Sequence, residues 1–286
     1  MLKYFRPVIR SRHPSHRVLR RRNPEKLLPL FPFRSVIRFG SLTQIRDTVS
    51  AGGSRVEINT IDAIKNSMNK FLMKMCFREA NVTTADWWFF EDGVLKGPDR
   101  RKNYSIEEMP FPIIAKSHYG SRNKGNTKLD NYEAYCKWAD REGRDITRYI
   151  FEQFHNYTRE YRIHITQRGA FYTCRKMLKR DTPQKDKWYR NDEHCVWVVE
   201  ENELFDKPKN WNKIVKDAVN ALNAVGLDIG AVDVKVQSAK TQKGKERKDP
   251  KFIIIEINSA PSFGEITKQK YVEELPKVLE AKHAML

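Results

Sequence analysis

The chain has 286 residues, of which 54 are Lys or Arg and 36 are Asp or Glu, so its formal net charge is +18. That length is enough for one large domain or two modest ones with a substantial apolar core. No apolar run approaches the roughly eighteen residues of a membrane-spanning helix. The four cysteines lack the CxxC or Cys/His spacing of a zinc site. We see no signal peptide, so we expect reduced thiols and a cytoplasmic protein.

The positive charge is concentrated near the N-terminus, where residues 1–50 contain twelve Lys or Arg and only two acidic residues. Such a block is typical of an arm that attracts nucleic acid or an acidic protein surface. A basic segment that only wraps the body is the plainer alternative. The block also resembles an organelle transit peptide, although the basic residues continue without a break into a segment that is expected to be folded. We predict a basic, irregular arm at 1–30 and a short region at 31–62 before the main fold.

The predicted elements follow from periodicity and turn residues. Apolar residues recur at helical spacing over 61–80 and over 211–225, where Gly226 ends the second helix. A further helix is predicted at 129–141. The predicted strands or extended segments lie at 33–40, 55–59, 82–90, 111–118, 149–154, 159–166 and 170–177.

The most informative stretch is Phe252–Pro261, an apolar strand that carries Glu256 and Asn258 on one face. A second alternating strand, Ala231–Gln237, precedes it, and the polar segment between them is typical of a long hairpin loop. If the strands pair, Asp233 lies near Glu256 and Asn258. Three such oxygen ligands are the hard donors that Mg²⁺ accepts. The plainer interpretation is a strand-end glutamate held by a neighbouring Arg or Lys.

Three other features are ambiguous by themselves. Lys116 closes a strand and precedes a small-residue loop, which suits phosphate binding, although no Walker A motif occurs. Lys70 is most simply a solvated helix residue. Glu160 and Arg162 share a strand face, where their plain interpretation is an ion pair.

Taken in order, these segments resemble the ATP-grasp ligases, most closely the RimK-like carboxylate–amine ligases and their small phage-type relatives. The resemblance covers about residues 55–265, and its specificity lies in the order of the pieces and the terminal Glu-x-Asn pair. The matching residues are Asn59, Lys70, Phe111–Lys116 with its loop, Glu152, Arg159–Arg162, Lys176, Arg190, Asn191, Asp233 and Glu256–Pro261. The resemblance implies an α+β fold, in which an N-lobe (63–147) and a C-lobe (148–286) clasp ATP.

The resemblance also implies a role for each matching residue. Lys70 and Lys116 would contact the ATP phosphates, and the loop with Gly120, Ser121 and Gly125 would close over them. The segment around Glu152 would hold adenine. Asp233, Glu256 and Asn258 would bind Mg²⁺, with Mn²⁺ as a substitute. Arg162, Lys176 and Arg190 would stabilise the transferring phosphoryl group or the acyl phosphate. The loop has only two glycines, and Ser262 stands where relatives often have Gly.

The implied activity is ATP-dependent ligation of a carboxylate to an amine through an acyl phosphate. The substrates stay open: a metabolite, a peptide, an acidic protein tail or a nucleic acid could be the acceptor, and Arg38–Ser41 could line its site. We expect alanine at Asp233, Glu256 or Asn258 to abolish turnover with little loss of fold. We expect the protein to be located in the cytoplasm of a bacterial or phage-infected cell.

Two other functions compete with ligation. A nucleic-acid-binding protein would use the Arg-rich arm and aromatic residues such as Trp87, Trp88 and Phe90. That hypothesis leaves the acidic residues of the last two strands unexplained. A kinase is disfavoured because neither an HRD-type catalytic loop nor a DFG sequence occurs.

Overall fold

The computed structural model describes residues 5–9, 35–42, 56–120, 125–141, 145–190, 193–262 and 264–285. Within these ranges the chain forms three sheets and five helices, which confirms the predicted α+β class. The strands are β1 (Phe5–Ile9), β2 (Ser35–Phe39), β3 (Val56–Ile58), β4 (Trp87–Glu91), β5 (Val94–Lys96), β6 (Asn103–Tyr104), β7 (Ile113–Ser117), β8 (Asn126–Leu129), β9 (Tyr149–Gln153), β10 (Arg159–Thr166), β11 (Gly169–Leu178), β12 (Cys195–Val199), β13 (Ile229–Val236) and β14 (Phe252–Asn258). The helices are α1 (Ile61–Met68), α2 (Lys70–Glu79), α3 (Tyr132–Ala139), α4 (Trp211–Val225) and α5 (Glu265–His283). Among the described residues, no helix has the length and apolar character needed to cross a bilayer.

An antiparallel sheet of five strands, in the order β12-β11-β10-β13-β14, positions the candidate site. One of its faces is apolar and packs on α4 and α2. The buried side chains of this core include Tyr161, Ile163, Val232, Val234, Ile214, Leu222, Met73 and Phe77. Because strand side chains alternate, the polar residues between them project from the opposite face. Helix α4 ends as predicted, at Gly226, whose φ of +78° suits a glycine.

A second antiparallel sheet has the order β6-β5-β4-β9-β7-β8 and an aromatic core covered by α3. Strand β7 confirms the strand predicted at 111–118. Strands β4 and β5 form a hairpin that the single extended segment predicted at 82–90 did not include. Its turn contains Asp92 (φ +50°) and Gly93 (φ +77°), and an Asp-Gly pair is a strong hairpin signal that was overlooked.

The third sheet is parallel, with β1 and β3 on either side of β2. The prediction of an irregular arm over 1–30 is wrong for Phe5–Ile9, which forms β1. Pro7 interrupts the sequence pattern, but an edge strand tolerates a residue without a backbone N–H. The remainder of the arm lies outside the described residues.

Helix α5, which the sequence analysis did not predict, closes this parallel sheet. Its side chains Tyr271, Leu275 and Leu279 are buried in one cluster with Phe39 and Ile58. The helix contains Pro276, a residue that normally interrupts a helix, so the sequence signal is weak.

The helix predicted over 61–80 is two helices separated at Asn69. The backbone of Asn69 leaves helical geometry, with φ −92° and ψ 114°, and its side chain accepts a hydrogen bond from the Leu72 N–H. An asparagine side chain that caps a new helix competes with continuation of the old one. The break sets Lys70 at the first turn of α2.

Asn59 joins the parallel sheet to the five-stranded sheet. It is fully buried, has a φ of +59°, and its Oδ1 accepts from the backbone N–H groups of Asp228 (2.9 Å) and Ile229 (3.2 Å). In return its N–H donates to Asp228 Oδ2 at 2.7 Å. The same Asp228 oxygen accepts from Lys282 of α5 at 2.6 Å. These bonds connect the end of β3, the start of β13 and α5.

Candidate active site

The predicted metal ligands lie on the polar face of the five-stranded sheet. Strands β13 and β14 pair antiparallel, with Asp233 opposite Glu256 and Ala231 opposite Asn258. This confirms the predicted hairpin, and the Asn258 amide lies 3.4 Å from Glu256 Oε1. A bulge follows, because Val234 pairs with Ile254 and leaves Ile255 as an extra residue in β14.

Arg162 is the cross-strand neighbour of Asp233 on β10. Its guanidinium donates through Nε and Nη2 to the two carboxylate oxygens of Asp233, both at 2.8 Å. Burial opposes ionisation of Asp233, but the charge and hydrogen bonds of Arg162 outweigh it and hold the Asp233 pKa below its usual value. The carboxylate is therefore ionised at neutral pH.

The chemistry of these donors suits a hard divalent ion, since two carboxylates and an amide oxygen project from neighbouring positions. Within the described ranges, no group of three or more His, Cys, Asp or Glu side chains is arranged to hold a metal. An ion at this face would therefore depend on the Asn258 amide as its third donor.

The other predicted cations surround Glu160. Lys176, its cross-strand neighbour, has its Nζ at 3.4 Å from Glu160 Oε1, and Arg190 Nη1 lies 3.8 Å from Oε2. The expected Glu160–Arg162 ion pair is wrong, because Arg162 binds Asp233 instead. Burial opposes the charge of Lys176, but Asp233 and Glu160 raise its pKa above the usual value. Lys176 is therefore protonated at neutral pH.

Trp197, on the edge strand β12, lies beside these cations. Its ring centroid is 4.9 Å from Arg162 Cζ and 4.9 Å from Lys176 Nζ. Cations at this distance are attracted to the face of an indole ring. Trp197 was not predicted as a site residue, because the element that carries it was not predicted.

Lys70 lies between the small-residue loop and the acidic pair. Its backbone N–H donates to His118 O at 2.8 Å, its Nζ donates to Gly120 O, and the Nζ lies 3.9 Å from Glu256 Oε2. A lysine from α2 therefore reaches the predicted metal ligands on β14.

The loop after β7 is only partly described. Gly125 has a φ of +81°, which a residue with a side chain rarely adopts. Ser121 lies outside the described residues, as does Asn191 beside Arg190.

Glu152 and Lys116 form a buried cluster with a third residue, Lys74. Lys116 Nζ lies 2.8 Å from Glu152 Oε2, and Lys74 Nζ lies 3.3 Å from Glu152 Oε1. Burial opposes ionisation of Glu152, but the two lysines outweigh it and lower its pKa to about 2. Burial also lowers the pKa of Lys74 to about 8. Both oxygens of the predicted adenine-binding carboxylate therefore face lysines.

A pocket of about 330 Å³ is bordered by the segment that follows β9, the strand of Glu152. It is lined by Phe154–Thr158, Arg175–Leu178, Gln184, Lys187, Trp188, Arg190 and Lys235. Lys235 was not predicted as a site residue. Its Nζ lies 3.4 Å from Trp188 O, and burial lowers its pKa to about 8. The pocket is thus bordered by cations and by the segment that follows Glu152.

Arg38, expected near an acceptor site, lies at the end of β2. It is fully buried, and its Nη2 is 3.4 Å from Glu57 Oε1 on β3. Nothing in this geometry tests an acceptor role for the Arg38–Ser41 turn.

A scan against protein-family models found no match, and a search of curated proteins found none. Solved structures do match. D-alanine–D-alanine ligase from Bacillus anthracis complexed with ATP has a TM-score of 0.62 at 10% identity, covering 100% of this chain and 98% of that one. A second structure of that ligase has a TM-score of 0.54 at 12% identity, covering 80% and 72%.

N5-carboxyaminoimidazole synthase from Aspergillus clavatus, in complex with ADP and 5-aminoimidazole ribonucleotide, has a TM-score of 0.57 at 14% identity. That match covers 87% of this chain and 60% of the synthase. At these identities the likeness concerns the arrangement of helices and strands. The chain has the ATP-grasp fold.

Proposed function

We propose that this protein is an ATP- and Mg²⁺-dependent carboxylate–amine ligase of the RimK-like type. One observation carries the proposal: Asp233, Glu256 and Asn258 share a sheet face with Arg162 and Lys176, and Lys70 reaches that face from α2. Cations around an acidic pair suit phosphoryl transfer, which needs positioning and charge neutralisation more than a protein nucleophile.

In the first step an oxygen of the substrate carboxylate attacks the γ-phosphorus of ATP, and the bond from that phosphorus to the bridging oxygen of ADP breaks. Lys70 and Lys116 hold the phosphates while the loop with Gly120, Ser121 and Gly125 covers them. Negative charge develops on the oxygens in transfer. We propose that Arg162, Lys176 and Arg190 stabilise this charge.

In the second step the amine nitrogen attacks the acyl carbon, phosphate leaves with the carbon–oxygen electron pair, and the nitrogen loses a proton. The same cations stabilise the leaving phosphate. Asp233, Glu256 and Asn258 would hold Mg²⁺, or Mn²⁺ in its place, which neutralises phosphate charge when bound.

The pocket next to Phe154–Thr158 is the place we propose for the adenosine part of ATP. Both Glu152 oxygens face lysines, so we propose that the segment after β9, more than the Glu152 carboxylate, receives the adenine. The lobe boundary at 147/148 stays a prediction. Strand β9, just after it, pairs within the six-stranded sheet.

The test is release of ADP from Mg-ATP in the presence of hydroxylamine, across pools of amino acids, acidic peptides and nucleic acids. Hydroxylamine converts an acyl phosphate into a hydroxamate, which identifies the carboxylate. We expect a hydroxamate from wild-type protein and none from Glu256→Gln. The control Glu133→Gln, at an exposed position on α3, should keep wild-type activity. Failure of the wild-type protein to bind Mg-ATP would contradict ligation.

The structure removes one argument for the nucleic-acid-binding hypothesis, namely the two tryptophans proposed to contact the nucleic acid. Trp87 and Trp88 are each only 3% exposed, so they are not available to stack on bases, and that interpretation of them is wrong. Both side chains belong to apolar clusters of the six-stranded sheet.

A further inference from the structure

Lys74 is the most deeply buried cation near the site, and the mechanism above gives it no role. It belongs to α2, and its side chain has 0% exposure. An ammonium group in such a place is costly unless hydrogen bonds and counter-charges compensate it. The presence of a buried lysine at this position therefore requires a physical explanation.

The contacts of Lys74 connect the two large sheets. Its Nζ lies 3.3 Å from Glu152 on β9 and donates to the hydroxyl of Thr84. That hydroxyl in turn donates to Ile254 O on β14, at 2.9 Å. One lysine thus connects β9, the strand of Glu152, to β14, the strand that carries Glu256.

The charge of this cluster is not balanced internally. Glu152 is shared between Lys74 and Lys116, so two ammonium groups face one carboxylate. If stability alone mattered, an apolar residue at position 74 and a simple Lys116–Glu152 pair would suffice. The unbalanced charge instead suits a cluster that is completed by an anionic ligand, and Lys116 is its less buried member.

We propose that Lys74 is a positioning residue that holds Glu152 so that its carboxylate presents Lys116 to the nucleotide phosphates. The inference rests on the proposed function, because it assumes that ATP phosphates meet Lys116. Lys74 itself, enclosed behind Glu152, does not touch the nucleotide. Its effect should therefore be confined to the phosphates and should depend on Lys116.

The test measures dissociation constants by calorimetry for Mg-ATP and for adenosine, which has no phosphate. Lys74→Met, Lys116→Met and the double variant are compared with wild type. We expect Lys74→Met to weaken Mg-ATP binding on the order of tenfold and to leave adenosine binding unchanged. The double variant should bind Mg-ATP no more weakly than Lys116→Met alone. Lys137→Met, at an exposed position on α3, is the charge-matched control and should bind as wild type.

Thr84→Val keeps the proposal testable if Lys74→Met does not fold, since it removes the hydroxyl contact without changing charge. It should show the same loss selective for Mg-ATP, but smaller. Equal weakening of adenosine and Mg-ATP, or additive effects of the Lys74 and Lys116 substitutions, would overturn the positioning role alone. Failure of wild-type protein to bind Mg-ATP would instead overturn the proposed function, and the inference with it.

Discussion

Asp233 and Glu256 face each other across two strands, but their side chains have different surroundings. Asp233 is buried and bound through both oxygens by Arg162. Glu256 is 32% exposed, and its nearest ion-pair partner is Lys70 at 3.9 Å. The expectation that alanine at either position leaves the fold intact is therefore reasonable only for Glu256.

We predict stability effects of very different size for two conservative variants. Glu256→Gln should abolish ADP formation and change the free energy of unfolding by no more than about 0.5 kcal/mol. Asp233→Asn should also abolish activity, but it should cost about 3–5 kcal/mol, because a buried guanidinium loses its counter-charge. Urea unfolding of both variants checks this, and equal losses would contradict the assignment of Arg162 to Asp233.

The ionisation of Glu152 should make the free energy of unfolding depend on pH in the acid range. Its pKa in the folded protein is about 2, against an ordinary value of 4.5, so its contribution is complete above pH 4.5 and is lost as pH falls toward 2. Between pH 7 and pH 3 the wild type should lose about 2 kcal/mol that Glu152→Gln does not lose. Unfolding free energies measured across that range test the difference. Parallel curves for the two proteins would refute it.

The sequence predicts the acidic pair well and its neighbours less well. Alternation groups Glu256 with Asn258, and the predicted pairing of the two strands adds Asp233. The ion-pair partners on neighbouring strands are harder to predict from the sequence. Directly opposite residues lie about 5 Å apart, whereas residues i and i+2 of one strand lie about 7 Å apart, so the closest partner of a strand residue is on another strand. For that reason Glu160 pairs with Lys176 and not with Arg162. Lys74 resembles an ordinary solvated helix lysine, and its only sequence signal is its position one turn after Lys70.

Among the helices and strands, those with an uninterrupted apolar pattern were predicted correctly, and those interrupted by a proline or a capping residue were not. The strand at 159–166 and the helix at 211–225 have the predicted bounds, because uninterrupted patterns define them. Strand β1 and helix α5 each contain a proline and were missed. The break at Asn69 depends on a side-chain cap, which competes locally with a helix pattern that otherwise continues.

The junction at Asn59 should be sensitive to substitution. Asn59→Ala removes the side-chain acceptor of two buried N–H groups and forces a residue with a Cβ to keep a φ of +59°. We expect a loss of about 3 kcal/mol in the free energy of unfolding. Chemical denaturation measures it, with Asn66→Ala on α1 as the control for losing an amide. A change below about 1 kcal/mol would show that the junction does not depend on this side chain.

For the whole molecule, the order of strands in the six-stranded sheet was beyond sequence reasoning. Strand β9 pairs with β4 and β7, which come from distant parts of the chain. Periodicity predicts each strand but carries no information on such non-local pairing. The resemblance to the ATP-grasp ligases predicts the fold instead, because it rests on the order of the matching residues along the chain.

Ligand binding should stabilise the whole molecule, since the proposed site draws on both large sheets. At one hundred times its dissociation constant, Mg-ATP should add about 2.7 kcal/mol to the free energy of unfolding. Thermal unfolding with Mg-ATP, with ATP plus EDTA and with Mg²⁺ alone tests this. In Glu256→Gln, Mg²⁺ should add nothing to the increase in melting temperature that ATP causes. An equal shift with ATP plus EDTA would contradict a metal at the acidic pair.

The bulge at Ile255 changes which side chains of β14 face the apolar core. Before it, the even-numbered Phe252 and Ile254 belong to the apolar core, whereas after it the odd-numbered Ile257 does. A strict two-residue alternation over the whole of β14 would place Glu256 on the same side as Ile254, inside the core. Deletion of the single residue Ile255 would therefore exchange the two sides of half a strand, and no substitution in β14 would have an equivalent effect. The orientation of Glu256 and Asn258, the proposed metal ligands, therefore depends on a residue that is not one of them.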